Sequence, residues 1–274
     1  MIKVKDLTYV YEDETMALKN INMDFEKYMR IGVVGANGAG KSTLFQSLVG
    51  ILKPTTGNIL VDDKKIRYDK KTLYDLRRRV GILFQDPDKQ IFYSNVYDDV
   101  AFGLRNLDIP ESEVKIRVDK ALIDAGAKEF EKKPVHNLSY GQKKRVAIAG
   151  ILAMGYELIC FDEPTAGLDP NMTEAVTDII KELSNRGVRV VISSHNMDTI
   201  YELCEYIYVI NKGEIIAEGE SKEVFLKGNI LEEAGLREPW LVKIHKNMNF
   251  PLFTKEEDLY KYWRDINGDS CNRG

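Results

Sequence analysis

IGVVGANGAGKSTLF, residues 31–45, is the stretch that decides the fold. Gly35, Gly40, Lys41 and Ser42 stand at G-x-x-x-x-G-K-[ST] spacing, after the apolar run Ile31–Val34 and before a helical run from Ser42 to Val49. A strand, a glycine loop and a helix start together present a row of free backbone N–H groups to an anion. The spacing predicts a phosphate cradle of Gly35, Ala36, Asn37, Gly38, Ala39 and Gly40, with Thr43 in the same turn. Lys41 is expected to neutralise the outer phosphates of a nucleotide, and Ser42 to offer its hydroxyl to Mg2+. At average composition the pattern arises by chance about once in a hundred chains of this length, and the strand-then-helix setting lowers that further.

Outward from this loop, ELICFDE (157–163) reads as a buried parallel strand, Leu158–Phe161, running into Asp162 and Glu163. Carboxylates at the C-terminal edge of such a sheet face the crevice that holds the phosphate loop. Asp162 is expected to hold Mg2+ through its water shell, and Glu163 to polarise an attacking water. The runs 31–34, 80–84, 157–161 and 188–193 are mostly apolar, as expected of strands covered on both faces. Segments 2–5, 21–26 and 58–62 have β character, and Ile207–Ile210 with Glu214–Ala217 reads as a hairpin around Asn211-Lys212-Gly213. Residues from about 95 to 137 switch to helical patterning, notably Glu111–Ala125 with apolar Val114, Val118, Leu122 and Ile123.

LSYGQ (138–142) opens another helix, because Ser139 with Gln142 is a capping box ahead of an apolar run. Gly141 has no such account. Glycine in a first helical turn costs roughly 0.5–1 kcal/mol relative to alanine, a cost accepted where something approaches the backbone closely.

With LSYGQ lying between the phosphate loop and the ELICFDE strand, the chain resembles the ABC-transporter ATPase family over most of residues 1–225. The family signature is usually LSGGQ; Tyr140 stands here for its first glycine. Tyr11 in LTYVYED matches the aromatic that stacks on adenine, Gln85 in ILFQDPDKQ the glutamine linking Mg2+ and water to the transmembrane partner. Ala166–Asp169 match the D-loop, and His195 in VVISSHNMD the switch histidine beside the γ-phosphate. The resemblance implies an α/β fold: an antiparallel β subdomain, a parallel-sheet core, an inserted helical subdomain at about 95–137, and an extension from 226 to 274. It implies ATP and Mg2+ as cofactors, a second ATPase subunit (another copy or a paralogue), and hydrolysis by Glu163, His195 and Gln85. Mg2+ would be held by Ser42, Gln85 and Asp162, while Ser139, Tyr140, Gly141 and Gln142 would cap the ATP bound by the other subunit. Gly141 is then bare because a phosphate comes there.

FLKGNILEEAGLREP (225–239) and FQDPDKQIFYSNVYDDVAFGL (84–104) are similar to energy-coupling-factor ATPases, the cobalt- or nickel-importing branch, with cobalt, nickel or a vitamin as the cargo. That likeness implies a transmembrane coupling subunit and a substrate-binding membrane subunit, with the ATPase peripheral on the cytoplasmic face of the membrane. The cluster Ile91, Phe92, Tyr93 and Tyr97 is expected to border the cleft where the membrane partner inserts a short helix. In the extension, Thr254 with Glu257 forms a capping box leading a helix with Leu259, Tyr260 and Trp263, stopped near Asn267-Gly268, whose aromatics are expected to pack on their own domain or on a second subunit.

Bulk properties exclude several alternatives. A formal net charge of -4 and a pI of about 5.6 leave no basic field for nucleic acid. A soluble ABC ATPase acting on nucleic acid or ribosomes is the rival class, and its members carry long coiled-coil insertions or two cassettes in one chain, neither of which is present. Three cysteines, Cys160, Cys204 and Cys271, form no metal or redox spacing and fit a reducing compartment. His136, His195 and His245 form no cluster, so storage of a transition metal is not expected. The N-terminus carries charges where a signal peptide needs an apolar core, and the longest apolar run, Val146–Tyr156, is too short to span a bilayer.

Overall fold

The computed structural model describes residues 2–268, so the reading made for Cys271 lies outside the described residues. β1 (Ile2–Val10) and β2 (Met16–Asp24) come first, and β3 (Arg30–Val34) leads through the glycine loop into α1 (Lys41–Leu48). β4 (Thr56–Val61), β5 (Lys64–Lys65), α2 (Lys70–Arg79) and β6 (Val80–Leu83) follow. Three helices come next, α3 (Val96–Arg105), α4 (Glu111–Asp124) and α5 (Tyr140–Met154). The chain then alternates through β7 (Leu158–Asp162), α6 (Pro170–Asn185), β8 (Arg189–Ser193), α7 (Met197–Leu203), β9 (Tyr206–Asn211) and β10 (Glu214–Glu220). It ends in α8 (Ser221–Leu226), α9 (Gly228–Glu233), α10 (Trp240–Met248) and α11 (Glu256–Gly268).

Two sheets result. The antiparallel one has strand order β2-β1-β4-β5, and the larger has order β10-β9-β3-β8-β7-β6. In the larger sheet β9, β3, β8, β7 and β6 run parallel and β10 folds back antiparallel on β9. β7 and β8 are buried along nearly their whole length, which is why their centres, Leu158–Phe161 and Val190–Ile192, are apolar. The β1–β2 pairing extends well past 2–5 and 21–26. Register shifts between Val4 and Leu7 and between Leu7 and Tyr9 break the inside–outside alternation that marks a strand in sequence.

α3, α4 and α5 pack on one another, with Val100, Leu104, Val114, Val118, Ala121, Leu122, Val146 and Ile151 buried between them. Ile123 is 57% exposed and Ala121 takes the inward place. From Val118 a helix returns to the same face after three or four residues, at 121 and 122, so 123 points away. α11 begins at Glu256, two residues after Thr254, so Thr254 does not cap it. Phe250, Leu252 and Phe253 lie against the core, and residues 250–253 belong to no helix or strand. Leu259 is buried and Trp263 meets Phe250 at 5.9 Å between ring centroids, while Tyr260 and Trp263 stay about half exposed. No helix of the described residues is long and apolar enough to cross a membrane.

Candidate functional site

Neighbouring strands bring the site together. β3 lies beside β8 and β8 beside β7, so the phosphate loop, the Asp162–Glu163 pair and His195 leave the sheet at one edge. One cavity there is lined by Tyr11, Asn37–Thr43, Gln85, Asp162 and Glu163. Gly40 has φ 108°, and a Cβ on it would lie 2.5 Å from the Ala17 carbonyl oxygen. A Cβ on Gly35 would lie 2.2 Å from the carbonyl oxygen of Ile210 on β9, so that glycine is demanded by packing inside the chain. Lys41 Nζ donates to the carbonyls of Gly35 at 2.8 Å and Ala36 at 3.0 Å, pointing the ammonium back into the loop. Burial pushes the Lys41 ammonium below its ordinary range, opposed by the nearby Glu163 and Asp162 carboxylates.

Asp162 and Glu163 are both nearly buried, at 5% and 6% exposed. Ser193, fully buried at the end of β8, holds both: its hydroxyl donates to Asp162 Oδ1 at 2.6 Å and accepts from the Glu163 backbone N–H at 3.0 Å. Glu163 sits at φ 46°, a left-handed conformation rare outside glycine. Its Oε2 lies 2.8 Å from His195 Nδ1 and accepts from the His195 backbone N–H at 3.3 Å. Ser42, Gln85 and Asp162 give hard oxygen donors to the cavity, and the described residues contain no group of three or more His, Cys, Asp or Glu able to hold a metal alone. That donor set fits Mg2+, which keeps waters and takes phosphate oxygens with one or two carboxylates.

Tyr11 meets Tyr9 edge-on at 4.9 Å between centroids, and its hydroxyl shares a 2.9 Å hydrogen bond with the Thr43 hydroxyl. The capping box at LSYGQ is formed: Gln142 N–H donates to Ser139 Oγ, and Gln142 Oε1 accepts from Ser139 N–H at 2.9 Å. Gly141 has empty space around it, the nearest atom to an added Cβ being Leu168 Cδ2 at 4.0 Å. Nothing inside the chain forbids a side chain there. Ser139 to Gln142 do not line the phosphate-loop cavity. Asp169 caps α6 through the Met172 N–H at 2.9 Å.

Three contributions escaped the sequence reading. Ser193 was visible only as a polar residue closing an apolar strand. Lys144, fully buried on α5, donates to the carbonyls of Phe84 at 3.0 Å and Gln85 at 2.7 Å. Burial pushes its ammonium down to about 8 against the pull of Asp162, Asp86 and Glu163. Lys212 and Gly213, at the β9–β10 turn, border the cavity, and Gly213 N–H donates to the Ala39 carbonyl at 3.1 Å.

Residues 18–166 match the protein family described as ABC transporter. The chain is 45% identical to the cobalt import ATP-binding protein CbiO of Salmonella typhimurium over 95% of this chain and 96% of that one. The chain belongs to the ABC transporter ATP-binding family. It is an ATPase coupled to transport. This ABC ATPase is also 44% identical to the energy-coupling factor transporter ATP-binding protein EcfA of Methanothermobacter thermautotrophicus, over 98% of this chain and 89% of that one. A solved structure of cbiO1 from Clostridium perfringens, part of the ABC transporter complex cbiONQ, superposes with a TM-score of 0.75 at 43% identity. That match covers 89% of this chain and 98% of the other.

Proposed function

We propose that this ABC ATPase is the energising subunit of an energy-coupling-factor importer for cobalt. It would work as a pair of ATPase subunits on the cytoplasmic face of the membrane, with a transmembrane coupling subunit and a substrate-binding membrane subunit. The single observation that carries the paired site is the separation of its two halves. The cavity holding the phosphate loop lacks Ser139–Gln142, and Gly141 is bare with nothing of its own chain against it. A second subunit's ATP fits that bare turn, where the free N–H groups and the helix dipole favour an anion. The 45% identity to CbiO supports cobalt as the cargo.

In this reading ATP lies with adenine on Tyr11, its phosphates in the loop Gly35–Thr43 and on Lys41. Ser42, Gln85 and Asp162 would hold Mg2+, which when bound neutralises charge building on the phosphate oxygens. Glu163 accepts the proton of the attacking water, and its hydrogen bond with His195 keeps the carboxylate aimed while the histidine faces the outer phosphate. Ser193 fixes Asp162 and the Glu163 backbone so that neither has to reorganise. Residues 1–225 form the ATPase unit in this reading. Residues 231–242 pack against it through buried Leu231, Leu241 and Val242, the Trp240 N–H on Asp198 Oδ1 at 2.6 Å, and Gly235 beside Ala36.

Mixing two dead proteins tests the paired site. Lys41→Ala ruins every phosphate loop in one preparation, and Ser139→Arg every signature in another. A mixed dimer keeps one intact loop facing one intact signature, so mixing should restore about a quarter of parent ATPase activity if subunits exchange freely and sites act independently. Cysteines placed at Ser139 and Ala39 should also crosslink between chains when ATP is present. Neither recovery nor crosslink would leave LSYGQ a helix cap only.

A further inference from the structure

Where the family usually has glycine this chain has Tyr140, and the structure supplies that tyrosine with two partners inside its own subunit. Its hydroxyl donates to the backbone carbonyl of Gln85 at 3.1 Å. Its ring lies over Gly167, where an added Cβ would meet ring carbon Cε1 at 3.2 Å. The same Gln85 carbonyl accepts from Lys144 Nζ at 2.7 Å. Positions 140 and 144 are one turn apart on α5 and share a face. Both lone pairs of one carbonyl oxygen are thus held from one helix. Lys143 adds an ion pair to Asp88, three residues further along the same loop, at 2.6 Å. The phenol is 39% exposed and stands outside the phosphate-loop cavity, whereas Gln85 lines it.

We propose that Tyr140 is a positioning residue that sets the Gln85 side chain by gripping its backbone. With glycine at 140, Lys144 alone would hold the carbonyl and the loop could swing about a single bond. A second donor from the same helix removes that freedom. The ring against Gly167 ties the turn between β7 and α6 to the same point, so loop, turn and signature move together. This rests on the reading of Gln85 as the glutamine that orients Mg2+ and water.

The test is Tyr140→Phe in the full chain, which keeps the ring over Gly167 and deletes only the hydroxyl. Two readouts are expected to move by about three- to ten-fold, the worth of one lost hydrogen bond. The Mg2+ concentration giving half-maximal hydrolysis rises. Amide exchange over residues 85–90 quickens in the nucleotide-free protein. In a Gln85→Ala background the same change should add nothing to the Mg2+ dependence, because two residues acting through one group are not additive. Parent Mg2+ dependence and parent exchange in Tyr140→Phe overturn the proposal, and so do additive effects of the two substitutions. If Gln85→Ala itself leaves the Mg2+ dependence at the parent value, the role of Gln85 falls first and Tyr140 has nothing to position.

Discussion

Glu163 carries strain that its neighbours sustain. A non-glycine residue at φ 46° costs on the order of 1–3 kcal/mol, and the Ser193 hydroxyl and carbonyl both accept its backbone N–H, at 3.0 Å and 3.2 Å. The strained turn aims the carboxylate at His195 instead of along β7. On the role proposed for Glu163, replacing it by glutamine keeps that shape and removes the base. ATP hydrolysis should fall on the order of 10²–10⁴-fold, with nucleotide binding retained and ATP-bound dimers accumulating. Turnover near the parent rate in the purified variant would take Glu163 out of the chemistry. Gly141 shows the opposite economy: a residue type that local packing does not require, next to a capping box that it does not serve.

At the scale of elements, the turn between β6 and α3 holds aromatic side chains outward. Asp99 Oδ1 accepts the backbone N–H of Phe92 at 2.8 Å and of Tyr93 at 3.0 Å, pinning the turn from the first part of α3. Phe92 is 75% exposed and Tyr93 44%, while Ile91 and Tyr97 are half-buried. Beside them opens a cleft between the sheet and the helical layer, lined by Ile82, Phe84, Val100, Phe102, Ile151 and Met154. A short helix from a membrane partner would bury this surface, which an isolated soluble protein gains nothing by exposing. Substituting serine for both Phe92 and Tyr93 leaves the Asp99 bonds, which use backbone donors. Assembly with the membrane subunit should weaken and basal ATPase activity persist, as read by co-purification and by turnover of the isolated protein. Undiminished co-purification would move the docking site elsewhere.

Across the whole molecule, two buried clusters flank the large sheet, one reaching the helical layer and the extension, the other the antiparallel sheet. Several tyrosines are buried in or beside them. Burial pushes the hydroxyls of Tyr68, Tyr156 and Tyr201 up to about 12, and that of Tyr208 upward too. In the unfolded chain the same groups ionise near 10. Between about pH 10 and 12 the folded state keeps protons that the unfolded state releases, so stability is intact below that window and falls through it. The Tyr201 hydroxyl has no hydrogen-bond partner among the described residues, so Tyr201→Phe breaks no hydrogen bond. Urea midpoints should match the parent near neutral pH and exceed it at about pH 11.5. A variant that loses stability as steeply as the parent above pH 10 would show that Tyr201 does not titrate in this window.

The spacing of Gly35, Gly40, Lys41 and Ser42, and the apolar runs ending in Asp162 and before His195, are local patterns, and local patterns determined the strand–loop–helix unit and the parallel sheet. They could do so because a phosphate loop needs its residues consecutive and a doubly covered strand is mostly apolar. The ends of β1 and β2 were hidden by bulges. Tertiary structure alone decided which distant residues meet. Ser193 reaches Asp162 and Glu163 only because β7 and β8 pair with Asp162 opposite Ser193. Tyr140 reaches Gln85 only because α5 packs across the start of that loop. No periodicity records such contacts, since they depend on how elements far apart in the chain come to lie side by side.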